Sequence, residues 1–99
     1  HGSGTVNDQY IGYGSHAVSA LLHSGGHDFI GIYPQGELFP SSAGVNATRP
    51  GWNTGLQMVT NASTPNDVAF IQSIANHLHQ LGCQGRRYLF GSSNGAALV

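Results

Sequence analysis

Gly91-Ser92-Ser93-Asn94-Gly95 places one serine midway between two glycines. A serine hydroxyl becomes a useful nucleophile when a sharp turn lifts it out of the backbone and an adjacent base takes its proton. Small flanking residues permit such a turn, because a side chain at either glycine would collide with the neighbouring strand or helix. The chemistry indicated is attack by Ser93 on a carbonyl carbon, with the amide of Asn94 aimed at the space where the oxyanion develops. A chain with 15 glycines in 99 residues meets this five-residue pattern by chance readily, so the flanking elements have to decide.

Those elements agree with the turn. Tyr88-Leu89-Phe90 is an apolar run that predicts a buried strand, and Ala96-Ala97-Leu98-Val99 predicts the start of a helix. A second glycine-rich turn opens the chain at His1-Gly2-Ser3-Gly4, where backbone amides are free of side-chain obstruction. Between the two turns, Ala17, Val18, Leu21 and Leu22 recur at helical spacing and Gly25-Gly26 stops that helix. Asp28 to Tyr33, apolar and β-branched and bounded by Gly26 and Pro34, predicts a buried parallel strand. Pro34-Gln35-Gly36-Glu37 turns the chain outward.

From Leu38 to Thr64 there is no clear periodicity, which predicts a long loop covering or contacting the site. Trp52, the sole tryptophan, either pins that loop to the body, the simpler account, or walls a substrate pocket. Thr64-Pro65-Asn66-Asp67 predicts a helix start, with a hydroxyl cap, proline at the first helical position and the Asp67 carboxylate in the first turn, where the dipole favours it. Val68, Ile71, Ala75, Leu78 and Leu81, supported by Ile74, trace the face that should pack on the sheet, and Gly82 ends the helix. Alternating helices and buried strands predict an α/β fold with a parallel sheet, and in that architecture a site forms at the carboxyl ends of the strands. Both glycine-rich turns fall at that end.

Composition narrows the partners. Charged residues make up 7% of the chain and the net charge is -1, so no basic surface is available for nucleic acid. No apolar run is long enough to cross a bilayer. Lysine is absent while Gly, Ser, Asn and Thr abound, a composition that leans toward an extracellular, secreted protein. Two glycosylation sequons at Asn46 and Asn61 fit that leaning. Cys83 is the sole cysteine and has no internal partner. His23 and His27 are separated by helix-breaking glycines, and His77 and His79 face different sides of a helix, so neither pair suits a metal. The pattern calls for no metal and no cofactor.

The HGSG opening, FIGIYPQG, GWN, NDVAFIQSI and RRYLFGSSNG followed by Ala96-Ala97 resemble, in that order, the secreted α/β-hydrolase esterases of the polyhydroxybutyrate depolymerase, feruloyl esterase and acetylxylan esterase group. The resemblance covers nearly all 99 residues and implies a three-layer α/β-hydrolase sandwich. Residues 1–99 would be the N-terminal part of a single catalytic domain, truncated after the nucleophile elbow. It implies that Ser93 attacks a carboxylic ester, a polyester or a plant cell-wall ester, and that the amides of Asn94 and Ser3, with Gly2 a weaker choice, bind the oxyanion. Ser92 stands where a larger residue is more usual, and the second glycine common after Gly95 is lacking.

In this fold the acid and the histidine follow the serine, so both are expected after Val99. The 99 residues alone should therefore be inactive, whereas the full-length protein should be an esterase. Two alternatives stay open: a non-catalytic binding module that retains the elbow, or a serine peptidase of the same fold.

Overall fold

The computed structural model describes residues 1–7, 25–26, 29–41, 43–55 and 65–99. Four elements lie among them: strands β1 (Leu38–Pro40) and β2 (Thr48–Pro50), then helices α1 (Asp67–Gln80) and α2 (Asn94–Leu98). The helix expected between Ser15 and Ser24, and Asn61 and Thr64, lie outside the described residues.

Part of the segment expected as loop is a hairpin. β1 and β2 pair antiparallel in the register Leu38 with Pro50, Phe39 with Arg49 and Pro40 with Thr48. Prolines are tolerated here because a two-stranded ribbon leaves one side of each strand unpaired, where a missing N–H costs nothing. Asn46 in the connecting turn takes a φ of 61°, a conformation asparagine tolerates better than most residues, and Ser41 N donates to Ala47 O across it. Phe39 points inward and is 4% exposed.

The hairpin is tied to both neighbours in sequence and space. Gly51 N donates to Glu37 O at 2.9 Å, and Gly4 N donates to Pro50 O at 2.7 Å, so the opening turn is fastened to β2. Among the described residues the buried apolar side chains are Phe39 and Trp52. Around them the backbone is close-packed: a Cβ built on Gly36 would lie 2.1 Å from Gly51 O, an approach only glycine allows.

The expected parallel sheet is not formed among the described residues. Segments 29–33 and 88–90 lie outside any strand, and Ile30, Tyr88, Leu89 and Phe90 are each more than half exposed. An apolar run specifies a wish to be buried but not the neighbour that buries it, and the one described sheet is the antiparallel hairpin.

Helix α1 has the expected apolar stripe and stop, with a different start. Asn66 is the cap in place of the expected Thr64, its Oδ1 accepting from Ala69 N at 3.0 Å, and Asp67 is the first helical residue in place of the expected Pro65. At the far end Gly82, with φ 89°, donates to His79 O, and Cys83 N donates to Leu78 O, the paired bonds of a glycine-terminated helix. Ile71, Ile74, Ala75 and Leu78 are half-buried, while Val68 and Leu81 are exposed. The stripe is thus partly covered, and among the described residues no parallel sheet lies under it.

Candidate functional site

Ser93 occupies the turn that leads into α2, with φ 51° and ψ -119°. That is close to the mirror image of a common turn conformation and is normally glycine's territory, so holding a serine there costs on the order of 1–3 kcal/mol. A serine at the cap of a helix ordinarily bonds its hydroxyl to an amide of the first turn. Ser93 makes no such bond, and the residue is exposed.

Packing enforces the conformation. A Cβ on Gly91 would lie 2.3 Å from Gly95 O, and one on Gly95 would lie 2.4 Å from His1 O. The elbow is therefore closed on itself by one glycine and pressed against the opening turn by the other. The position of a Cβ on Gly2 is 3.3 Å from Ser93 Cβ and 3.9 Å from Ser93 Oγ, so the two glycine-rich turns meet at the serine.

His1 locks the opening turn in place. Its Nε2 accepts from Gly36 N at 2.9 Å and lies 3.2 Å from Gln35 Nε2, while Nδ1 lies 2.9 Å from Gly2 O. The neutral tautomer with its proton on Nδ1 satisfies all three contacts. Both ring nitrogens are thus committed, and His1 is not available as the base for Ser93. Pro34-Gln35-Gly36, expected to turn outward, turns inward to make this grip: Gly36 is buried, and Gln35 Oε1 accepts from Asn7 N at 3.0 Å. His77 and His79 are exposed on α1, and His16, His23 and His27 lie outside the described residues.

Trp52 is 2% exposed, so its ring offers no wall to a ligand from solvent in this structure. Its indole N–H donates to His1 O at 3.0 Å and its ring lies 4.9 Å from the His1 ring. Asn94 reaches across to the same residue from α2: its Oδ1 accepts from Trp52 N at 2.6 Å, and its Nδ2 donates to Trp52 O at 3.0 Å. Sequence reasoning gave Asn94 only a backbone role. A side chain able to donate and accept at the first residue after the serine was the signal for the second one.

Asp67 also does more than complement a helix dipole. It is 4% exposed, and its Oδ2 accepts from Asn53 N at 2.5 Å, while Asn53 Nδ2 donates to Pro65 O at 2.8 Å. Burial pushes the Asp67 carboxyl above the usual aspartate range and the charge of Glu37 adds to the rise, with the Asn53 amide pulling the other way. A depression of about 440 Å³ opens beside this pair, lined by residues of 53–55 and 65–68; Ser93, Asn94 and Ser3 do not line it.

Among the described residues, the amides of Ser3 and Asn94 are not bonded to any carbonyl, in contrast to those of Gly4, Thr5 and Gly95. Asn46 is exposed in the hairpin turn, and Cys83, half-buried, is free among the described residues. No group of three or more His, Cys, Asp or Glu side chains among the described residues could hold a metal ion, and no described helix is long and apolar enough to cross a membrane. Comparison with known protein families, with curated proteins and with solved structures finds no match.

Proposed function

We propose that this chain belongs to a carboxylic ester hydrolase in which Ser93 is the nucleophile. The observation that carries the reading is the strained, uncapped and exposed Ser93 with Gly2 packed against it. Strain of this kind persists only where the surroundings over-determine it, and here it holds a hydroxyl away from the helix amides that would otherwise bind it. The amides of Ser3 and Asn94, on the two turns that meet there and unbonded to any carbonyl among the described residues, add to the support, as does the motif resemblance.

In this mechanism Ser93 Oγ attacks the ester carbonyl while a base from outside the described residues takes its proton. The oxyanion accepts hydrogen bonds from the amides of Ser3 and Asn94. Collapse of the tetrahedral intermediate breaks the bond to the alcohol oxygen, which leaves with the proton, and water then hydrolyses the acyl-enzyme. The substrate class is a neutral ester, a polyester or a cell-wall ester, in keeping with a chain that carries only 7% charged residues. The fold proposed for the full-length protein is an α/β-hydrolase sheet in which 29–33 and 88–90 are strands, and the location proposed is extracellular.

A fluorophosphonate probe applied to the full-length protein tests the reading. One label at Ser93, absent in Ser93→Ala, together with release of acid from short nitrophenyl esters and no cleavage of peptide amides, is the expected result. A folded full-length protein that takes up no label is a binding module instead.

A further inference from the structure

Asn94 contacts the rest of the chain through its side chain in an unusual way: one carboxamide binds both the N–H and the carbonyl of a single residue 42 positions away. The two bonds imitate the pairing of a neighbouring strand, and they fix both the position and the rotation of the side chain that makes them. We propose that the Asn94 carboxamide is a positioning group for its own backbone amide, fastening the oxyanion donor to Trp52. This inference rests on Ser93 being the nucleophile.

The fastening has value only if Trp52 is itself immobile, and it is held on three sides. Its indole is bonded to His1 O, its ring packs on the His1 ring, and its successor Asn53 is tied to Asp67 and Pro65 at the start of α1. An oxyanion donor misplaced by a fraction of an ångström loses much of its effect, because the charge it meets exists only in the transition state. The tie to Trp52 therefore acts on kcat, and substrate binding in the ground state should be largely indifferent to it.

The chemistry of the tie is specific enough to test by substitution. Asn94→Ala keeps the backbone amide and removes both bonds. Asn94→Asp is nearly isosteric; ionised, it still accepts from Trp52 N but sets a negative oxygen against Trp52 O, and protonation restores a donor. The other titratable groups facing this junction among the described residues are His1, packed on the Trp52 ring, and Asp67, reached through Asn53. Both are present in the unaltered protein, which serves as the reference at each pH.

Kinetics of the full-length protein on a short nitrophenyl ester decide the matter. Asn94→Ala should lower kcat by roughly 10-fold or more with KM little changed and with circular dichroism like that of the unaltered protein. Asn94→Asp should show a kcat, relative to the unaltered protein, that climbs as pH falls. An unchanged kcat in Asn94→Ala, a loss confined to KM, or a pH-independent ratio for Asn94→Asp overturns the positioning role while leaving Ser93 as nucleophile. Should Asn94→Ala fail to fold, the pH dependence of Asn94→Asp decides alone. Failure of the unaltered protein to label at Ser93 overturns the esterase reading and this inference together.

Discussion

The indole N–H of Trp52 donates to the carbonyl of His1 at 3.0 Å, joining two buried residues 51 positions apart. The same carbonyl is the atom against which Gly95 is packed. The opening turn, the loop after β2 and the elbow thus share one backbone group, and disturbance at any of the three is felt at the others.

Replacing Trp52 with phenylalanine tests the bond while keeping most of the ring. His1 O would be left buried without its donor, a loss of about 1–3 kcal/mol in the full-length protein, read from the denaturant midpoint at constant slope. A midpoint shift below a few tenths of a kcal/mol would mean that water or another donor replaces the indole.

The backbone at Ser93 makes an opposite kind of prediction. Both Ser93→Ala and Ser93→Gly remove the hydroxyl, but only glycine adopts φ 51° and ψ -119° without strain. Ser93→Gly should therefore be more stable than Ser93→Ala by about 1 kcal/mol, even after the greater freedom that glycine gives the unfolded chain. Equal midpoints for the two variants would show that the turn is relaxed, and the argument from strain to function would fail.

Gly95→Ala is the sharpest steric test. The added methyl would lie 2.4 Å from His1 O, a backbone atom with no rotamer to escape into. Either the elbow or the opening turn must move, at a cost of roughly 1–3 kcal/mol or more. Labelling of Ser93 by a fluorophosphonate should fall with stability, because the two turns can no longer meet. Labelling as fast as in the unaltered protein would show that their contact is dispensable.

Different parts of this arrangement were legible in the sequence to different degrees, for physical reasons. Helix α1 was read from its apolar stripe and Gly82, since helical spacing and a glycine stop are local signals. The meeting of the two glycine-rich turns was expected from the rule that α/β sites gather at one end of a sheet, although the described residues show no parallel sheet. The hairpin was missed because strands three residues long, each ending in proline, leave no alternation to count. Its stability comes from Phe39 and from Gly4 and Gly51, contacts that appear only once the chain has folded. The Asp67–Asn53 and Asn94–Trp52 bonds were invisible for the same reason: both residues sit where a local role, helix capping for one and an amide for the other, already accounted for them.

Asp67 yields a pH dependence whose sign follows from its burial. Its carboxyl in the folded chain titrates above the ordinary value of about 3.8, chiefly because burial penalises the charge. Between the unfolded value and the raised folded one, the folded state holds more of the proton than the unfolded state does. Stability from this group is then fully present below about pH 3.8 and is lost as pH rises through the folded value. Asp67→Asn keeps an oxygen to accept from Asn53 N and removes the buried charge, so it is the proper reference. The stability of the unaltered protein minus that of Asp67→Asn should fall as pH rises from acid toward neutrality and then level off. At neutral pH the asparagine variant should be at least as stable as the unaltered protein. A difference that instead grows with pH would mean that the bond from Asn53 N to the charged carboxylate outweighs desolvation, and the direction assigned to Asp67 would be wrong. Because Asn53 follows Trp52 directly, the same titration read by ester turnover would show whether the anchor on α1 is felt at the elbow.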